Sequence, residues 1–407
     1  MPLVALGLLI LTNGPVFFVN RRFLDGALGW EEPFTRQVFV VTALVAGAAV
    51  VLDRYRESGE RLFRPSPVAA AAIVFFGVWI VLTTFWSLAP DITRGRSVIY
   101  LGLPALAWIV ADLDFARLRA ALGLAAGVAV AASLLVVIST ERIGLDRNDD
   151  WLGVYTNRNS LAPIAALALI VGLSLMADTR GGRRLGAVAL STMSVIVMSG
   201  SGSRTAWLAL AVAVGAAGVV VTARRGWDRH GGRALAATAG VAAVGTLITV
   251  TLIVRMWGEP TFAQRRTIWS LVWDKIGERP LQGFGWFSIW GVPEFTAADP
   301  LLARGEAHSS VLEVWLGAGL VGLIPFLVIV GLALHGTTRA AWRDPGVESW
   351  TWLAVVLFLL IENLTESFVL WFSYNWVILM AAALRSGVGA PRSPAARRLA
   401  ASEPVTG

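Results

Sequence analysis

The chain contains no cysteine, which excludes disulfide staples, thiolate nucleophiles and cysteine-ligated metals. It has a single lysine, Lys275, against 33 arginines. Histidine is scarce too: only His230, His308 and His335 can exchange a proton near neutral pH in the ordinary way. Charged residues make up 15% of the 407 residues, where a soluble domain carries about 25%. In their place stand 56% hydrophobic residues and a mean hydropathy of +0.67. Stretches free of Asp, Glu, Lys and Arg include 65–90, 120–140, 159–177, 205–223 and 314–338. Each reaches the ~20 residues that a helix needs to cross a hydrocarbon core. A soluble enzyme and a disordered chain are excluded; the sequence reads as an all-α, polytopic membrane protein.

Backbone groups within lipid must be satisfied inside their own segment, so the spans are helices. Twelve are expected, near 2–20, 36–52, 67–88, 97–111, 118–138, 160–177, 185–200, 205–223, 234–254, 311–335, 349–362 and 366–384. Residues 1–20 lack the charged start of a signal peptide and read as a retained first span. Arg and Lys bias toward the cytoplasm sets orientation. With the N-terminus inside, the short cytoplasmic connections hold nineteen such residues and the short opposite ones nine. This predicts a cytoplasmic (inner) membrane protein with both termini in the cytoplasm. It also explains the net charge of +7 as topology, with no nucleic-acid partner. The organisation expected is N-terminal spans over 1–138, a core over 139–348, C-terminal spans over 349–384, and a disordered tail at 385–407.

Between the ninth and tenth spans lies segment 255–310, far longer than the usual helix–helix connection. It is rich in aromatics, with Trp257, Trp269, Trp273, Trp286 and Trp290 among them, and reads as a folded extracytoplasmic cap with a helix near 264–276. Three polar features fall on this predicted outer side. Ser199–Thr205 carries Arg204 at a helix start, where free N–H groups favour anions. The cap carries Arg265-Arg266-Thr-Ile-Trp269, and Ala307-His308-Ser-Ser precedes the tenth span. Guanidinium groups bind phosphate oxygens and imidazole takes a proton near neutrality, a set that suits a phosphorylated lipid substrate. Each also has a structural reading: Arg204 as a helix end, the Arg265–Arg266 pair as a solvated face, His308 as a hydrogen-bonded loop residue.

Other candidates are weaker. Asp112-Leu-Asp114 falls in a short cytoplasmic connection, and Asp149-Asp150 and Glu31-Glu32 are acidic pairs without further ligands. Gly283-Phe-Gly-Trp286 lacks the Lys and Ser/Thr of a phosphate loop and reads as a turn. Glu313 is an ionisable group just inside the tenth span.

Taken in order, the motifs resemble the O-antigen ligase and O-antigen polymerase superfamily of bacterial membrane glycan transferases. They are Gly153-Val-Tyr-Thr-Asn157-Arg158-Asn159, Ser201-Gly-Ser-Arg204-Thr-Ala-Trp207, Arg265-Arg-Thr-Ile-Trp269, Pro280-Leu-Gln-Gly283-Phe-Gly285, Ala307-His308-Ser-Ser-Val-Leu-Glu313 and Gly317-Ala-Gly319-Leu-Val-Gly322. The resemblance implies a metal-independent, inverting glycosyltransferase without a cofactor. It would move a glycan from a polyprenyl-diphosphate-linked donor to the hydroxyl of a glycan or lipid-glycan acceptor. By the same resemblance Arg204 and Arg265, or its neighbour Arg266, hold the donor diphosphate and His308 is the general base. Arg158, Asn159 and Glu313 would line the site. Ser309 stands where the family often has Asn, a departure from its pattern. The competing readings are a multi-span solute transporter and a mannosyltransferase-like enzyme using Asp25, Glu31 or Glu32.

Overall fold

A computed structural model describes residues 2–12, 64–139, 144–146, 148–230, 260–302, 305–368 and 373–387. Among them helix dominates, and the only β pairing is the isolated Leu145–Trp151 bridge. Among the described residues six helical stretches are long and apolar enough to cross a membrane: Pro67–Trp86, Phe115–Ser139, Arg158–Asp178, Arg204–Gly226, Ser310–Arg343 and Val347–Thr365. The spans expected at 36–52 and 234–254 and the carboxylates Asp25, Glu31 and Glu32 lie outside the described residues.

The described α-helices of ten residues or more are α1 (Pro2–Leu11), α2 (Pro67–Leu82), α3 (Pro90–Tyr100), α4 (Leu103–Asp112), α5 (Phe115–Ser139), α6 (Arg158–Asp178), α7 (Gly182–Gly200), α8 (Arg204–His230), α9 (Pro260–Glu278), α10 (Ser310–Arg343), α11 (Val347–Thr365) and α12 (Tyr374–Arg385). Local chemistry sets several starts. Ser66 caps α2 just before Pro67, whose missing N–H is no loss in a first turn. Asn157 caps α6 and Ser373 caps α12, each accepting from a backbone N–H two residues on. At the centre α6 is enclosed from Leu161 to Gly172. A side chain at Gly172 would meet Ser191 Oγ at 2.3 Å, so glycine here lets α6 and α7 pack closely.

Two expected spans differ. The stretch expected as one helix at 97–111 is broken into α3 and α4 around Leu101-Gly102, with Pro104 in the first turn of α4. The last span is not continuous from 366: α11 ends at Thr365 and α12 begins at Tyr374. Residues 366–368 between them are non-helical and buried or nearly so.

The pairing of helix ends sorts the bundle into two faces. At one end Arg225 of α8 donates to Pro345 O at 2.9 Å, beside the start of α11. Since α8 and α11 pack together, they run antiparallel, and Arg204 lies at the end where α11 finishes. Ser310 Oγ bonds Asn363 Oδ1 at 2.6 Å, which brings the start of α10 to the same end. Asn159 joins it through Ser203 at 3.4 Å. Arg119 with Asp178, and Arg385 with Leu113 O, mark the opposite end.

Helix α10 is broken at Gly319, whose φ of 66° and ψ of −173° belong to a region open essentially to glycine alone. Backbone groups released by a buried break need partners within the protein. Segment 280–285 supplies them. Phe284 N and Gly285 N donate to Leu316 O and Gly317 O at 3.0 Å each, while Leu320 N and Val321 N donate to Pro280 O and Leu281 O at 2.9 and 3.2 Å. The cap segment is thus stitched to the broken helix. It has its own apolar cluster of Ile268, Val272, Ile276, Phe284, Ile289 and Leu302, which packs on Leu316 of α10.

Candidate functional site

His308 sits in the short link that enters α10, with a left-handed φ of 50°. Such a conformation is costly for a side chain of this size, by about 1–3 kcal/mol, and persists only where surrounding bonds impose it. They do so here. Ala307 N donates to Glu313 Oε1, and Ala307 O accepts from Trp269 Nε1 at 2.9 Å. Ser309 N donates to Ser367 Oγ at 3.1 Å. Glu313 is itself fixed by Trp290 Nε1 at 2.9 Å and Ser367 Oγ at 3.3 Å. Glu313 therefore holds the histidine's loop from inside the protein.

The imidazole Nδ1 lies 3.3 Å from Glu366 Oε2 and 3.3 Å from Glu306 Oε1. The other oxygen of Glu366 accepts from Arg265 Nη2. The resulting chain runs Arg265–Glu366–His308, with side-chain exposures of 11%, 5% and 10%. In a neutral imidazole a carboxylate facing Nδ1 favours the tautomer with its proton there, which puts the lone pair on Nε2. Nε2 is buried and has no hydrogen-bond partner among the described residues. Glu306, His308 and Glu366 also offer ligand atoms within 4.8 Å of one another, the one such trio among the described residues.

Of the residues singled out in the sequence, Arg265 and His308 meet through Glu366. Arg266, one position on, is exposed. Arg204 is exposed as the first residue of α8, at the same end of the bundle. Its turn is braced from below: Trp151 N donates to Gly200 O at 2.9 Å, and Gly202 carries a φ of 64° against the Asp150 carboxylate. Asp150 in turn pairs with Arg158. Arg158 and Asn159 thus support the turn that presents Arg204. In the segment before α6 burial pushes the Tyr155 hydroxyl well above its ordinary pKa, so it stays protonated.

Asp112 and Asp114 lie at the opposite end, where Asp114 accepts from Arg117 N at the start of α5. The Gly-Phe-Gly-Trp segment is a turn, with left-handed φ at Gly283, Gly285 and Phe287. Trp286 is fully buried between Phe76 and Tyr100, with ring centroids at 5.8 and 5.1 Å. That aromatic belongs to the core.

Sequence reasoning missed Glu366, Glu306, Asn363 and Ser367. It also missed Glu362, buried one turn before Glu366 with Oε1 unpartnered among the described residues. The available signal was Glu362-Asn-Leu-Thr-Glu366-Ser367 itself, two carboxylates in an apolar stretch, since intramembrane ionisable groups default to function.

Residues 185–327 match the family Wzy_C, described as O-antigen ligase. This range contains Arg204, Arg265, His308 and the Gly319 break. The chain is also 25% identical over 315 residues to the exopolysaccharide production protein ExoQ of Rhizobium meliloti (strain 1021), covering 72% of this chain and 71% of that protein. Both matches point to membrane glycan chemistry of ligase or polymerase type. With the six motifs in order and a multi-pass helical body around them, the chain resembles the O-antigen ligase superfamily, and the match to that family lies over residues 185–327.

Proposed function

We propose that the protein transfers a glycan from a polyprenyl-diphosphate donor to an acceptor sugar hydroxyl at the outer face of the cytoplasmic membrane, with both termini inside. The observation that carries this reading is the two-sided state of His308: Nδ1 held by carboxylates, Nε2 left without a partner. The acceptor oxygen attacks the anomeric carbon and its proton passes to Nε2. The bond from that carbon to the diphosphate breaks, and polyprenyl diphosphate leaves with the electron pair. A single displacement of this kind inverts the anomeric configuration. Because Nε2 is enclosed, acceptor binding includes a shift of the side chains around it.

Arg204 and Arg265 are the donor's anion contacts in this scheme. One N–H of Arg265 is engaged by Glu366, and the guanidinium has four others to offer. Removing one such contact costs roughly 2.7–4 kcal/mol of transition-state stabilisation, about 10²–10³ in rate. The test is a deletion strain complemented with Arg204→Ala. Polyprenyl-linked glycan accumulates, as long chains for a ligase and as single units for a polymerase; wild-type transfer by this variant overturns the diphosphate role.

A second reading rests on the trio Glu306, His308 and Glu366, whose spacing suits a divalent ion. It makes the site metal-assisted. The guanidinium of Arg265 on Glu366 favours the metal-free reading, because it already supplies the counter-charge. Purified protein stripped with a chelator separates the two: transfer persists in the first and stops in the second.

A further inference from the structure

The end of the bundle opposite His308 contains a cavity of about 210 Å³ between α10, α11 and α12. Its lining includes Arg339, Arg343 and Arg385, with Trp352, Asp344 and Glu348. Nothing in the transfer chemistry uses it.

Arg339 and Arg343 stand at i and i+4 on one face of α10, where like charges repel and destabilise the helix. Both are exposed, and neither makes an ion pair among the described residues, although two carboxylates line the same cavity. The third guanidinium is preorganised. Arg385 donates to Leu113 O at 2.8 Å and Ala111 O at 3.3 Å, and lies 5.9 Å from the Trp352 ring centroid. The walls are fixed as well. Arg225 clamps Pro345 O at 2.9 Å, and α10 approaches α12 so closely that a Cβ on Gly336 would fall 2.8 Å from Ser386 Cα. Planar guanidinium forks around one small cavity match the oxygens of a phosphate.

The level of the cavity is set by helix length. From the break at Gly319 to Arg343, α10 runs ~36 Å at 1.5 Å per residue, just beyond a hydrocarbon core of ~30 Å. Trp342, 44% exposed beside it, suits the membrane–water interface. We infer that this cavity binds a phosphate group, presented there by an anionic phospholipid headgroup or supplied free from solution.

The test uses the full chain in neutral detergent, with thermal unfolding read against three probes: phosphatidylglycerol in mixed micelles, inorganic phosphate, and a phosphate-free galactosyl diacylglycerol. Phosphatidylglycerol or phosphate raises the melting temperature and the galactolipid does not. In the Arg339→Gln/Arg343→Gln double variant the half-saturating concentration rises about tenfold or more, as loss of charge-assisted contacts requires. The Arg339→Lys/Arg343→Lys variant keeps most of the response and controls for folding. A response to phosphatidylglycerol alone assigns a lipid headgroup, and an equal response to phosphate assigns the free ion. An unchanged response in the double-Gln variant, a response equal to that of the galactolipid, or no response to either phosphate probe overturns the site. None of these outcomes depends on the transfer reaction.

Discussion

His308 Nδ1 and Glu366 Oε2 stand 3.3 Å apart, although 58 residues separate them along the chain. The contact joins the link before α10 to the non-helical stretch after α11. It fixes the face of the imidazole that is already occupied and so, in the proposed reaction, the face left for the acceptor. The Glu366→Gln variant keeps the size of the side chain, but its amide can present an N–H toward Nδ1 and select the wrong tautomer. Transfer is expected to fall about 10²–10⁴-fold, as when a base loses its orienting carboxylate. The loss appears in kcat, with the donor KM changed little and the pH profile altered.

The two adjacent arginines of the cap separate by geometry. Arg265 is bound to buried Glu366, whereas Arg266 is exposed. Arg265→Ala removes the proposed donor contact and takes from the buried Glu366 carboxylate its guanidinium counter-charge, leaving it His308 alone, a change of about 3–5 kcal/mol in stability. Arg266→Ala is expected to stay within about 0.5 kcal/mol of wild type, as exposed substitutions do. Thermal unfolding and transfer measured together on both variants check this. Arg265→Lys, which keeps the charge but not the fork, recovers stability better than rate.

Gly319 tests the stitched helix break. A Cβ there would lie 2.1 Å from Leu281 O, at a φ of 66°. Gly319→Ala must displace segment 280–285 from α10. The expected loss is about 2–4 kcal/mol from backbone strain and broken backbone hydrogen bonds. Limited proteolysis of the cap reads it, with cleavage in 280–300 rising well above wild type. Gly331→Ala, where a Cβ meets nothing within 4 Å, serves as the control.

Much of this was legible in the sequence, and the failures have physical causes. Uncharged runs gave the cores of α2, α5, α6, α8 and α10, because length and hydropathy alone make a span. The cap helix was expected at 264–276 and runs from Pro260 to Glu278. Its apolar positions Ile268 and Val272 repeat at helical spacing and are fully buried. His308 and Arg265 are singled out by their motifs, and the Pro280–Gly285 and Gly317–Gly322 motifs prove to be two halves of one hydrogen-bonded joint. Glu366 escaped because the residues after it, Phe368-Val-Leu-Trp-Phe372, are as apolar as a span. Hydropathy cannot separate a non-helical stretch such as 366–368 from a helix, and so the span expected at 366–384 takes in Glu366. The break between α3 and α4 at Leu101-Gly102 is hidden in the same way, within an uncharged run.

The central claim is that Nε2 of His308 takes the acceptor's proton. Its most direct test is single-turnover transfer by the full-length protein in liposomes, comparing wild type with His308→Ala and His308→Gln at saturating donor and acceptor. The account predicts that both variants insert and bind donor with a Kd close to wild type while the transfer step slows by at least ~10²-fold, the usual range for a lost general base. A transfer rate within about threefold of wild type in either variant would contradict it.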